Sequence, residues 1–257
     1  MPAALRIAAL LLAGSSFVQD EDKFRAGYEA DLRAPDGWLS VSDLIWLKDG
    51  ATKVPGGSVK VRSGKVVYQP ATGAAVELKS DKPPGSPNVV DAAGVKMTLI
   101  DRQGKLGIRV KDPDAETRRN FPGCKWFPIR QAWDIKARWV AYPKPRQIPI
   151  LNVLGQTGPE PSPGYAEFSL AGKSLRLEPI TEDDHLFFIF KDKTADESTY
   201  PAGRFLYAAL PRNGVVDLDF NQAENPPCAF TAYATCPLPP KQNVLPVAIE
   251  AGEKRFH

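Results

Sequence analysis

Histidine, cysteine, net charge and long apolar runs are all scarce in this 257-residue chain, and each shortage removes a kind of chemistry. Two histidines, His185 and His257, cannot furnish a multi-histidine metal site, and the three cysteines contain no C-x-x-C knuckle, so no metal is expected. Lysine and arginine number 33 against 30 acids, a net charge of +3. The densest basic stretches, Thr117-Arg118-Arg119 and Lys136-Ala137-Arg138, are interrupted and too sparse for the basic stripe that nucleic acid requires. Apart from the N-terminus no apolar run approaches the length of a membrane span, about 20 residues. No G-x-S-x-G elbow, Walker loop or H-E-x-x-H helix occurs, which removes the common hydrolase, nucleotide-binding and zinc-protease readings. Gly155-Gln156-Thr157-Gly158 is too short and too closely flanked by proline to cradle a phosphate. No cofactor is implied.

What is present is an ordinary globular composition, 43% apolar and 25% charged, rich in proline (25) and glycine (20). The length suffices to bury a core as one large β domain or two small ones. Residues 1–19 read as a signal peptide. Arg6 is a minimal basic region, Ile7 to Ala13 an apolar one, and Ala13-Gly14-Ser15-Ser16 offers small residues for cleavage. The apolar run is too short for a stable anchor, and no cysteine follows it to carry a lipid. The expected location is therefore periplasmic or secreted. If the run is only the start of a helix, the alternative is cytoplasmic.

Residues 20–257 read as one β-rich domain, with lobes at 36–112 and 113–257. Phe24, Tyr28 and Leu32 recur at helical spacing within Glu21 to Leu32. Trp38 to Leu47 reads as a strand, a helical turn, or both in sequence. Short strands follow: Val59-Lys60-Val61 and Lys65 to Tyr68 as a hairpin about Ser63-Gly64, then Ala75 to Leu78, Lys96 to Ile100 and Leu106 to Val110. Asp112 to Asn120 reads as a loop or one helical turn, and the aromatic Phe121 to Pro128 as a plug across the core. A strand at Trp133 to Tyr142 should give way to proline-rich connection from Pro143 to Gly164. Strands resume at Tyr165 to Leu170, Ser174 to Ile180, Leu186 to Phe190 (apolar throughout, hence central), Tyr200 to Leu210 and Val215 to Phe220. Strands at this spacing predict a mostly-β fold, an antiparallel sandwich or partly open barrel with a short N-terminal helix and a long C-terminal proline-rich loop.

That loop, residues 219–253, holds six prolines, three asparagines (Asn221, Asn225, Asn243) and two cysteines (Cys228, Cys236). Proline at this density rules out helix and central strand, so a cross-link, a ligand or close packing must hold the segment. In an oxidising compartment Cys228 and Cys236 read as a disulfide, with buried thiols, a nucleophilic or redox cysteine and a metal ligand as further readings. Cys124 reads as a small core residue. Asp192, Thr194, Tyr200 and Arg204 follow a buried strand, where polar groups either bind a ligand or close a turn. Arg204 suits an internal carboxylate (Asp192, Asp219 or Glu253) or an anionic ligand. The three asparagines read as turn and capping groups or ligand contacts. His185, in an acidic turn, reads as a surface residue.

Three stretches carry a resemblance: Gly37-Trp38-Leu39…Trp46-Leu47-Lys48-Asp49-Gly50, then Phe190-Lys191-Asp192-Lys193-Thr194…Thr199-Tyr200-Pro201-Ala202-Gly203-Arg204-Phe205-Leu206, then Asp219 to Glu253. With weaker matches at Gly107 to Asp112 and Phe121 to Pro128, the mature chain resembles the bacterial and archaeal family of unknown function DUF1684. Where that family has an Asn/Gly-rich turn after the tryptophan pair, this chain has Ala51-Thr52-Lys53-Val54-Pro55. The resemblance carries no activity. The expectation is a small-molecule-binding or accessory protein of the cell envelope, whose candidate ligand residues are Asp192, Thr194, Tyr200, Arg204, Asn221, Asn225, Asn243 and Glu253. One alternative is a hydrolase or transferase using Glu253, Asp219 or Cys236 with Arg204 as electrophile. Another is a β-domain interaction scaffold.

Overall fold

The computed structural model describes residues 3–62, 64–82, 86–182 and 184–256, and no side chain before residue 16. Ser63, Asp183 and His257 therefore lie outside it, as do the side chains of most of the 1–19 leader. Helix α1 (Ala3–Arg33) begins well before the helical spacing at Glu21. No helix among the described residues is long and apolar enough to cross a membrane. The chain divides into two compact units. The larger comprises Met1–Glu29, Gly123–Ala229 and Thr235–His257, and the smaller Ala30–Pro122 and Phe230–Ala234.

In the smaller unit, Trp38–Ser40 is a 3-10 turn running directly into β1 (Val41–Trp46), so the tryptophan-rich stretch is turn and strand in sequence. β2 (Ala51–Val54), β3 (Gly57–Arg62), β4 (Lys65–Pro70) and β5 (Val76–Leu78) form an antiparallel meander in that order. Ala51 to Val54 are β2 itself, and the chain reverses at Pro55-Gly56, where Gly56 takes φ +68°. β6 (Val89–Ala92), β7 (Val95–Arg102) and β8 (Lys105–Lys111) join β1 in a second sheet ordered β1-β8-β7-β6. Val59, Val66, Tyr68, Met97, Leu99 and Ile108 point inward and form one core. The polar stretch after β8 is one helical turn, α2 (Glu116–Arg119).

The larger unit holds β9 (Asp134–Leu151), β10 (Thr157–Leu170), β11 (Lys173–Leu177), β12 (Ile180–Glu182), β13 (His185–Phe190), β14 (Arg204–Ala209) and β15 (Val215–Asp219). They form sheets ordered β11-β10-β9-β15 and β12-β13-β14, every strand pair antiparallel. β13 is central and buried from Leu186 to Phe190, as its unbroken apolar run requires. Phe188, Phe190, Phe220, Leu206 and Leu218 lie almost wholly inside, each burial contributing about 2–3 kcal/mol. Phe220 meets Phe190 edge-on at 5.5 Å and Phe168 at 5.9 Å.

Two expectations need correction. The segment 143–164 is mostly strand: β9 and β10 continue through their prolines as a two-stranded ribbon. Pro149 faces Pro159, and Pro161 faces Gln147. A pair of prolines cannot exchange hydrogen bonds, so this is a non-hydrogen-bonded position of the ladder. Pro149, Pro159 and Pro161 all fall on that alternate set, where a missing N–H costs no rung. Nor does Phe121 to Pro128 form one plug. It divides at Pro122-Gly123 (Gly123 φ +102°), with Phe121 packing edge-on against Phe230 in the smaller unit and Trp126 against Tyr28 in the larger.

Candidate functional site

In the larger unit the C-terminal segment is irregular yet buried, and its prolines leave side chains to satisfy the backbone. From Asn243 to Ala251 every second residue is buried (Asn243, Leu245, Val247, Ile249, Ala251), a strand's pattern without a full strand partner. Lys191 supplies the first rung: Leu245 N–H donates to its carbonyl at 2.7 Å, and its N–H donates to Asn243 O at 3.1 Å. Farther along, Arg204 and Asp192 take over. The Arg204 guanidinium donates to the carbonyls of Ile249 (3.0 Å) and Ala251 and to Asp192 Oδ2 (2.8 Å). Asp192 Oδ1 accepts the N–H of Ile249 (3.1 Å), the N–H of Thr194 (2.9 Å) and the hydroxyl of Thr194 (2.6 Å). Arg204 is 1% exposed, so of its two sequence readings the structure realises the internal carboxylate.

Two asparagines act similarly. Asn221 accepts from Arg130 N–H and donates to Arg130 O, both at 3.0 Å. Asn243 accepts from Glu178 N–H (2.9 Å) and donates to Glu178 O (2.8 Å) and Ile189 O (2.9 Å). Each amide presents a donor and an acceptor to one peptide, as a neighbouring strand would.

Asn225 and Glu253 come together differently. Gly252 delivers Glu253 inward at φ +74°, and any Cβ there would lie 2.8 Å from Ala223 Cβ and Phe220 O, so only glycine fits. Glu253 Oε2 accepts Asn225 N–H at 2.7 Å and the Tyr28 hydroxyl at 3.1 Å. Tyr28 comes from the face of α1 that carries Glu21, Phe24 and Arg25. Its ring meets Trp126 edge-on at 5.8 Å, while the Arg25 guanidinium lies 4.8 Å from the Trp126 ring centre. Burial pushes the Glu253 carboxyl up to about 7, against hydrogen bonds from Asn225, Cys124 and Tyr28 that hold it lower. Burial, reinforced by Glu253, pushes Glu224 up to about 8. Burial likewise raises Glu21 to about 7, opposed by its bond from Gln222 Nε2 at 2.9 Å. Near neutral pH the larger unit thus holds three carboxyls that carry protons well above the usual carboxylate range. Among the described residues, several buried polar atoms of this cluster have no hydrogen-bond partner, Asn225 Oδ1, Trp126 Nε1 and Glu253 Oε1 among them.

A second group lies at the proline-bracketed turn Pro227–Ala229. Cys228 and Cys236 are thiols, not joined by a disulfide, and Cys228 N–H donates to Cys236 Sγ at 3.2 Å. The Tyr200 hydroxyl donates to Cys228 O at 3.0 Å. Burial and the nearby cysteines raise the Tyr200 hydroxyl well above its ordinary value. His185 is exposed and meets Asp184 at 2.6 Å.

Of the eight candidate ligand residues, therefore, Asn225 and Glu253 share one cluster. Asp192, Thr194 and Arg204 form an internal network, Asn221 and Asn243 clip backbone, and Tyr200 attends the cysteines. Tyr28 and Glu224 were not anticipated. Tyr28 was legible only as a helical apolar position, although a tyrosine on a buried helix face needs a partner for its hydroxyl. Glu224 sits between Ala223 and Asn225 without any distinguishing pattern.

The fold and these clusters define a mostly-β protein with antiparallel sheets, whose C-terminal segment is held in part by buried polar side chains. The chain belongs to DUF1684, described as "Protein of unknown function", whose family model matches residues 119–254. The chain is also similar to the solution NMR structure of an uncharacterized protein from Haloarcula marismortui, at 29% identity over 53% of this chain and 78% of that one, with a TM-score of 0.45. No curated protein matches it.

Proposed function

We propose that this chain is a small-molecule-binding protein of the cell envelope whose ligand seats against Asn225, Glu253 and Trp126. The observation that carries the proposal is the pair Asn225 Oδ1 and Trp126 Nε1, buried without a hydrogen-bond partner among the described residues, beside carboxyls that burial raises to about 7 and about 8. Each buried polar atom left unsatisfied costs about 1–3 kcal/mol, a cost that a ligand with matching groups removes. The cluster asks for a small neutral or cationic molecule that donates to Asn225 Oδ1 and accepts from Trp126 Nε1. The apolar leader at 1–19 supports the envelope.

Thermal unfolding against a library of neutral and cationic amides, amines and polyols tests the ligand. The expected result is a rise in Tm of several degrees for one chemical class, reduced in Trp126→Phe, which keeps the ring and removes the donor. No shift across the library would refute the ligand site. N-terminal sequencing of the chain from fractionated cells tests the location: processing near residue 19 supports export, and an intact N-terminus in the cytoplasm overturns it.

A further inference from the structure

We propose that Cys228 and Cys236 form an exchangeable dithiol, a site that reduces a disulfide-bearing substrate with Cys228 as the attacking thiol and Cys236 as the resolving one. Three features of the larger unit carry this assignment, and none depends on the ligand site at Glu253. First, the two residues are adjacent and not bonded. The turn Pro227–Ala229 brings Cys228 N–H within 3.2 Å of Cys236 Sγ, and neither sulfur is in a disulfide. Second, the pair is asymmetric: Cys236 is 5% exposed, whereas Cys228 is only partly buried, so an incoming disulfide meets Cys228 first. Third, the surroundings favour the Cys228 thiolate. The hydrogen bond from Cys236 draws Cys228 down to about 7 against burial, with the Tyr200 hydroxyl adding a smaller pull in the same direction. A thiol titrating near ambient pH combines a large thiolate fraction with retained nucleophilicity, the optimum for exchange.

The electrons balance without a metal or flavin. Cys228 Sγ⁻ attacks one sulfur of a substrate R–S–S–R′, forming a Cys228–S–S–R mixed disulfide and expelling R′S⁻. Cys236 gives up its proton and attacks the Cys228 sulfur, forming the Cys228–Cys236 bond and expelling RS⁻. The substrate gains two electrons and leaves as RSH and R′SH, while the protein dithiol becomes a disulfide. An external thiol restores it by the reverse exchange. The eight-position separation of the two cysteines makes the closing loop short, so closure is local.

The test equilibrates the reduced full chain in buffers of reduced and oxidised glutathione, quenches with an alkylating agent under denaturing conditions, and maps the cysteines by mass spectrometry. The expected result is a reversible two-electron transition in which Cys228 and Cys236 become linked while Cys124 remains alkylated throughout. Cys236→Ser should accumulate one glutathione on Cys228, and Cys228→Ser should accumulate none on Cys236. Failure of the wild-type pair to oxidise in any buffer overturns the proposal. So does a disulfide that, once formed, resists excess dithiothreitol in the folded protein, since that is a structural staple. Equal trapping on either single variant overturns the assignment of roles. Because the wild-type titration requires no substitution, a variant that fails to fold leaves the test intact.

Discussion

Strand β4 of the β2–β5 meander and the segment 243–251 both bury residues two apart, yet their backbones are satisfied in different ways. In the meander, strand pairs with strand along continuous registers, and polar side chains are left to the surface, as in the exposed Lys65–Glu77 contact at 3.0 Å. In the C-terminal segment, backbone rungs from Lys191 and Lys193 reach only to Val247; beyond it Arg204 and Asp192 act as rungs, and Asn243 pairs with the backbone of Glu178. The comparison teaches that buried polar residues need not mark a binding site. They also appear wherever proline denies the chain a regular partner.

The sharpest way to break the contrast is Arg204→Met, which leaves Asp192 buried without its cation and two carbonyls without donors. It should cost about 3–5 kcal/mol in urea unfolding. A loss below ~1 kcal/mol would mean that the ladder role is misassigned. Asn243→Leu should cost about 1–3 kcal/mol by stranding the N–H and carbonyl of Glu178, measured the same way. The pH dependence comes next. Glu253 binds its proton more tightly folded (about 7) than at its ordinary value of 4.5, and Glu224 more tightly still (about 8). Their stabilisation is therefore fully present below about pH 4.5 and is lost as pH rises through 7 to 8. The urea midpoint should fall across that window, and Glu253→Gln should flatten the fall. A slope unchanged by that variant would remove Glu253 as its source. At the other end, Lys65→Ala in the meander should change stability by less than ~0.5 kcal/mol, because its partner is equally exposed.

Much of this fold was legible where period and turn chemistry agreed. The hairpin about Gly64 and the buried strand from Leu186 to Phe190 follow directly from alternation and from an unbroken apolar run. The ribbon from 143 to 164 did not, because proline was weighed by its number and not by its register. All of its rungs fall on the even positions, where β9 and β10 can exchange bonds. The internal destiny of Arg204 was readable as a choice between carboxylate and ligand, yet the partners that decide it, Ile249 and Ala251, contribute only backbone atoms. Tyr28 and Glu253 lie 225 residues apart, and no local pattern announces that they meet.

The proline register of the β9–β10 ribbon has one more consequence. Positions that do not bond across the ribbon turn their backbone groups outward, so Pro149 strips a donor from one outer edge, and Pro159 and Pro161 from the other. An edge that can accept but scarcely donate is a poor template for a foreign strand. What does reach the end of this ribbon is the chain's own 236–238 stretch, where Leu238 donates to Leu151 O at 2.7 Å and Val153 to Cys236 O at 3.0 Å. The same residues that make this ribbon look, in sequence, like no strand at all thus leave its outer edges short of donors.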